Sequence, residues 1–156
     1  MLLPRHRIER ARDGSIVLRL PEPERDLLRA LPGELRELLA AAPDDASLRR
    51  LFPPAYEEDE DENEYRRLMR EELLGGRRRS LALLADTAGN DRLDEETAHA
   101  WLTALNDLRL VLGTRLDVRE DTFLDEIAAD DPRAPELGLY AYLSWLQEQL
   151  VEVLAR

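Results

Sequence analysis

The 156-residue chain carries 34 acidic and 22 basic residues, a formal net charge of −12, and no cysteine. The missing thiols exclude disulfide frameworks, thiolate metal sites and cysteine nucleophiles, and fit a reducing compartment. Every basic residue is arginine. So acidic a chain repels polyphosphate beyond a Debye length of ~8 Å, which sets the expectation against nucleic-acid binding.

The N-terminal Met1-Leu2-Leu3-Pro4-Arg5-His6-Arg7 has no apolar region behind its basic residues, unlike a secretory signal. No apolar run approaches the ~18 residues of a membrane span. The expectation is a cytoplasmic protein without a membrane partner. The length suits a single domain over 1–156, large enough to bury about two thirds of its unfolded surface.

Residues 5–20 predict a β-hairpin around Asp13-Gly14. A two-residue loop would pair Ile8 with Arg19 and mix charged with apolar side chains. A three-residue loop, Arg12-Asp13-Gly14 with a left-handed glycine, instead pairs Ile8 with Leu18 and Arg10 with Ile16. It places Ile8, Ile16, Leu18 and Leu20 on one face.

Leucines 27, 28, 31, 35, 38 and 39 recur at helical spacing, interrupted by Pro32-Gly33. Proline disrupts a helix interior, so two short helices are expected, about 22–31 and 33–42, within a helical segment 22–42. Residues 44–62 read as an acidic loop, since 57–64 carry seven carboxylates and should be solvated and self-repelling. A helix over about 63–74 places Tyr65, Met69 and Leu73 on one side, with a break at Gly75-Gly76. The segment 63–156 is expected to form the helical core.

Asp94-Glu95-Glu96 opens a helix over about 94–117. Trp101, Leu105, Leu108, Leu112 and Leu116 form its stripe, while Leu110 and Val111 lie off it. Apolar residues on more than one side mark a helix surrounded by others. A shorter helix is expected over 119–129, and a last one over about 135–154 with Leu139, Tyr142, Leu143, Leu146, Leu150 and Val153 in one stripe. The fold class is mainly α: an orthogonal or irregular bundle of about five or six helices with an N-terminal β-hairpin.

Chemistry-bearing motifs are sparse. Arg109 falls inside the apolar stripe, where a guanidinium must be paired. With Asn106, Asp107 and Arg115 it suggests either an anion-binding site or a structural ion pair. Gly113 costs ~1 kcal/mol relative to alanine in a helix and implies close approach by another element. Glu96 and His99 make one Glu-x-x-His pair where a di-iron site needs two. The acidic run Asp59-x-Asp61-x-Asn63 has Glu64 and Arg70 where a calcium loop needs glycine and glutamate. No serine elbow and no phosphate-binding glycine pattern occurs. No catalytic residue, metal or cofactor is therefore assigned. Arg77-Arg78-Arg79 reads as a solvated helix start. Trp145, beside Ala141 and Tyr142, lies nearly opposite the last helix's stripe and is a candidate interface residue.

The stretch Trp101-Leu102-Thr103-Ala104-Leu105-Asn106-Asp107-Leu108-Arg109-Leu110-Val111-Leu112-Gly113-Thr114-Arg115-Leu116 resembles the signature of the actinobacterial domain of unknown function 2017 family. The wider layout is also similar: hairpin, glutamate-led helix near Glu24, acidic linker, and a last helix with tyrosine and tryptophan. The resemblance implies a cytosolic actinobacterial protein, with an association to proteolysis or sulfur metabolism through gene neighbourhood. It supplies no catalytic residues. The functional expectation is a non-enzymatic protein-interaction or regulatory domain that binds a protein partner or forms a homodimer. The alternative is an enzyme or small-anion-binding protein using Arg109 and Arg115.

Overall fold

A computed structural model describes residues 6–52, 60–118, 128 and 130–156. Strands β1 (Ile8–Arg10) and β2 (Ile16–Leu18) pair antiparallel with Ile8 opposite Leu18 and Arg10 opposite Ile16. This is the register of the three-residue loop, and Gly14 takes the left-handed conformation that the loop requires, φ 89°. Ile8, Ile16, Leu18 and Leu20 are all buried, as their shared face demands. A third strand, β3 (Arg92–Leu93), pairs with the other edge of β2. At two residues it is too short to leave an alternation pattern in the sequence.

The described helices are α1 (Glu22–Ala41), a 3-10 helix (Ala46–Leu51), α2 (Glu60–Thr87), α3 (Glu95–Arg115) and α4 (Ala134–Leu154). With the small sheet they make a mainly α, irregular bundle. α3 is its centre, packing on α1, α2, α4 and the 3-10 helix. Trp101, fully buried, anchors α3 to α2: its indole N–H donates to Thr87 Oγ1 at 2.7 Å, and that hydroxyl donates to the Leu83 carbonyl at 2.6 Å. The 119–129 helix expected from sequence falls almost wholly outside the described residues.

Two expected breaks are absent. Residues 22–41 form one helix with Pro32 buried inside it, not two helices. Proline removes the bond to the Leu28 carbonyl and costs roughly 3 kcal/mol. Against that, Arg25, Leu28, Pro32, Leu35 and Leu39 keep one uninterrupted buried stripe, which a break would lose. Likewise α2 runs through Gly75-Gly76 without interruption and begins at Glu60, inside the segment expected to be loop. Each glycine weakens a helix by ~1 kcal/mol. The packing of Leu81, Leu84 and Ala88 against the core, all fully buried, offsets that locally. The rest of the expected acidic loop also contains the 3-10 helix, capped by Asp45, whose carboxylate accepts from the Ser47 backbone N–H at 2.8 Å.

The join between sheet and helices rests on Arg25, which is 7% exposed. Its guanidinium group has five N–H donors, and all are used. Nε donates to the Leu20 carbonyl at 2.8 Å, and Nη1 to those of Ala88 and Asn90 at 3.1 and 2.7 Å. Nη2 donates to the Leu18 carbonyl at 3.4 Å and to Asp91 Oδ1 at 3.3 Å. One side chain thus ties α1 to β2 and to the turn between α2 and β3. On the opposite side Gln149 of α4 accepts the backbone N–H groups of Arg7 and Ile8 at 2.7 and 3.2 Å, fixing β1 on that helix.

Arg25→Met should destabilise the protein by roughly 3–5 kcal/mol, because it strips buried carbonyls of their donor. Arg25→Lys should recover only part of this, since one ammonium cannot span the same acceptors. Urea unfolding checks both. A loss below about 1 kcal/mol for the methionine variant would contradict this role.

Candidate functional site

Asn106, Asp107 and Arg109 occupy neighbouring positions on α3 but serve different contacts. Asp107 is 1% exposed and pairs with Arg77 of α2 in a very short contact. Arg77 also donates through Nη2 to the Leu51 carbonyl at 2.7 Å, and its guanidinium carbon stands 6.0 Å from the centre of the Phe52 ring. The pair therefore clamps α2, α3 and the end of the 3-10 helix. Burial pushes the Asp107 carboxyl above the usual carboxylate range, and the Arg77 guanidinium pulls it part of the way back. Among the described residues Asp107 Oδ2 has no hydrogen-bond partner.

Arg109 points elsewhere. It is half-buried, donates through Nη2 to Asn106 Oδ1 at 3.0 Å, and leaves a buried Nε without a partner. Asn106 Oδ1 also accepts from Gln147 Nε2 of α4 at 3.3 Å. Arg109 borders a shallow depression with Ser144, Gln147, Glu148, Val151 and Glu152. Arg115 is exposed and lies on a separate groove of about 310 Å³ between α1, α3 and α4. That groove has an apolar floor including Leu35, Leu108, Val111, Leu139 and Leu143, and a charged rim of Glu34, Arg115 and Glu136. Among the described residues Arg109 and Arg115 line separate depressions.

Gly113 faces Tyr140 of α4: a Cβ there would lie 2.9 Å from the Tyr140 ring. Close approach of α3 and α4 thus explains a glycine in the middle of a helix. The α4 surface beyond it carries Trp145, half-buried against the core, with its ring centre 6.1 Å from that of Tyr142. Ala141 is half-buried beside them. Burial, and next the Glu24 carboxylate, push the Tyr142 phenol far above its ordinary pKa, so it stays neutral. Glu24 is itself held by Arg7 at 2.9 Å.

Among the described residues no group of three or more His, Asp or Glu side chains is placed to hold a metal, and Glu96 and His99 are exposed. No described helix is long and apolar enough to cross a membrane. Sequence reasoning missed Arg25, Arg77 and Gln149 as polar members of the interior. For Arg25 and Gln149 a signal was present, because both fall in phase with apolar stripes, as Arg109 does. Arg77 is in phase too, four and seven residues before the buried Leu81 and Leu84, but the run of three arginines obscures it.

A family model described as Domain of unknown function (DUF2017) matches residues 5–154, including the whole of α3 and its Asn106-Asp107-Leu108-Arg109 segment. The chain belongs to the DUF2017 family. Among curated proteins it is similar to the oxidative stress regulator AosR of Mycobacterium tuberculosis strain ATCC 25618 / H37Rv. The two are 32% identical over 133 residues, covering 74% of this chain and 61% of that protein. AosR of Mycobacterium bovis matches equally, at 32% over the same length. This DUF2017 chain therefore spans about three fifths of the length of the curated relatives it matches. No solved structure matches it.

Arg77→Met should cost about 3–5 kcal/mol near neutral pH, because it leaves Asp107 buried without a counter-charge. The sign of the pH dependence follows from the raised Asp107 pKa. The folded chain holds that proton more tightly than the unfolded one, so the relative stability is present below the unfolded pKa and lost as pH rises through the folded one. The gap between variant and parent should accordingly narrow towards about pH 3.5. Replacing both residues, Arg77→Met with Asp107→Leu, should restore most of the loss at neutral pH. Unfolding curves at the two pH values check this, and a gap independent of pH would contradict it.

Proposed function

We propose that this chain is a non-enzymatic regulatory domain that acts by binding a protein partner in the cytoplasm, folding as one domain over its 156 residues. The observation that carries the reading is kinship: the relatives that share most of this chain are oxidative stress regulators. Two features of the molecule support it. The polar groups of the interior are spent on tying elements together, as with Arg25 and the Arg77–Asp107 pair. The α4 surface offers a half-buried tryptophan beside Tyr142, a side-chain type that often dominates binding energy at protein interfaces. The net charge of −12 favours a basic partner. The names of the relatives carry no link to proteolysis or sulfur metabolism.

The absence of cysteine from the sequence constrains how oxidative regulation would proceed. These 156 residues cannot form a disulfide or a sulfenic acid, so thiol chemistry in a response would come from outside them.

Trp145→Ala should abolish partner binding and fail to restore peroxide resistance in an actinobacterial strain lacking its own copy. Because the indole is half-buried against the core, the variant should also lose about 1–2 kcal/mol of stability while remaining folded. Full complementation by a Trp145→Ala protein at normal abundance would refute the α4 contact. Turnover of a small molecule by the purified chain without any partner would refute the non-enzymatic reading.

A further inference from the structure

The first half of α2 has a surface unlike the rest of the molecule. Every described side chain from Glu64 to Leu73 is exposed. Within it Tyr65, Leu68, Met69 and Leu73 are 64%, 60%, 41% and 39% exposed, and they account for all but one of the large exposed hydrophobics among the described residues. Their spacing puts them on one face of the helix. At 100° per residue that face is turned about 120° from the one that buries Leu81, Leu84 and Ala88. The stripe therefore belongs to no packing of this chain's described core. An apolar helical stripe left open to water on an acidic protein marks a contact surface.

The charges beside the stripe indicate what it contacts. On the helical wheel Glu64 and Glu71 border its outer side and Glu72 falls inside it, between Leu68 and Tyr65, all exposed. On the core side the wheel places Arg66 and then Arg70, and Arg70 is already engaged: its guanidinium carbon lies 4.6 Å over the Phe52 ring and its Nη2 donates to the Pro43 carbonyl at 3.3 Å. The stripe is thus bordered by carboxylates on its outer side and crossed by Glu72, within a chain of net charge −12.

We propose that the Tyr65/Leu68/Met69/Leu73 face of α2 is a docking surface for a basic amphipathic helix of a partner protein. The partner's apolar residues would pack on the stripe, with the methionine adapting to their shape. Its lysines or arginines would meet Glu64, Glu71 and Glu72. The inference rests on the reading of the chain as a protein-binding domain, but on a different surface from Trp145. Failure of one leaves the other standing.

The test uses the full chain and three synthetic peptides: a helix of leucines and lysines in amphipathic order, the same pattern with glutamate for lysine, and the lysine peptide scrambled to lose its apolar face. Fluorescence anisotropy in about 0.15 M salt, where long-range charge is screened beyond ~8 Å, should show binding of the first peptide alone. Leu68→Ser with Met69→Ser should weaken it about tenfold or more, and Glu64→Gln with Glu72→Gln should weaken it less and flatten its salt dependence. These positions are exposed, so the unfolding midpoint should stay unchanged. Trp145→Ala should bind the peptide as the parent does. Equal binding of the scrambled peptide, or unaltered affinity in the serine variant, would reduce the effect to bulk charge and overturn the proposal. Concentration-dependent dimerisation removed by the serine variant would assign the stripe to a second copy and overturn it as well.

Discussion

A single buried cation holds the two halves of this fold together. Arg25 enters the interior from α1 and distributes its five donors over Leu18, Leu20, Ala88, Asn90 and Asp91. Four of those acceptors are backbone carbonyls at the ends of elements, where the ladders and helices leave groups unpaired. A guanidinium can satisfy them all because its N–H groups diverge in one plane. The consequence reaches past local geometry. A three-stranded sheet of very short strands has little stability of its own, and the Arg25 contacts, with Gln149 on the other side, set it on the bundle. Charge is balanced weakly, since the paired Asp91 is largely solvated. Hydrogen bonds to carbonyls are therefore the main compensation for burying the cation.

The Arg77–Asp107 clamp repeats this strategy on the far side of α3, with the balance reversed. There the carboxylate is the more deeply buried partner, and its second oxygen goes unmatched. Such pairs add directional constraint more than net stability. Here the constraint fixes the rotation of α2 against α3 and the 3-10 helix. That rotation decides which face of α2 is turned outward, so the buried pair and the exposed apolar stripe are two aspects of one arrangement.

Much of the architecture was legible in the sequence. The hairpin register followed from keeping Ile8, Ile16, Leu18 and Leu20 together, because a slip of one residue exposes the whole set. The central position of α3 followed from apolar residues on more than one side. The expected breaks at Pro32 and Gly75-Gly76 failed for a common reason: local backbone costs of about 1–3 kcal/mol are smaller than the burial available to a continuous stripe. The stripe through Arg25, Leu28, Pro32, Leu35 and Leu39 keeps its phase across the proline, and phase was the better guide. β3 left no signal, being defined by pairing with β2 alone. Of the four residues singled out on α3, Asp107 pairs with an arginine from another helix and Arg109 with Asn106, partners that spacing within one helix does not reveal. Trp145 lies opposite its own helix's stripe, yet tertiary packing covers much of it. Among the described helices it is α2 that carries an open apolar face, although its sequence is dominated by charge.

The seating of the sheet on the helices requires Arg25 to be a fixed, desolvated part of the interior. Hydrogen exchange of its Nε–H, followed by NMR on arginine-labelled protein, reads this directly. The structure predicts a guanidinium proton protected to the same degree as the backbone amides of α3, released only with global unfolding. Exchange at the rate of the exposed arginines, with the core amides still protected, would show that the side chain reaches water and that the sheet is held to the helices by something else.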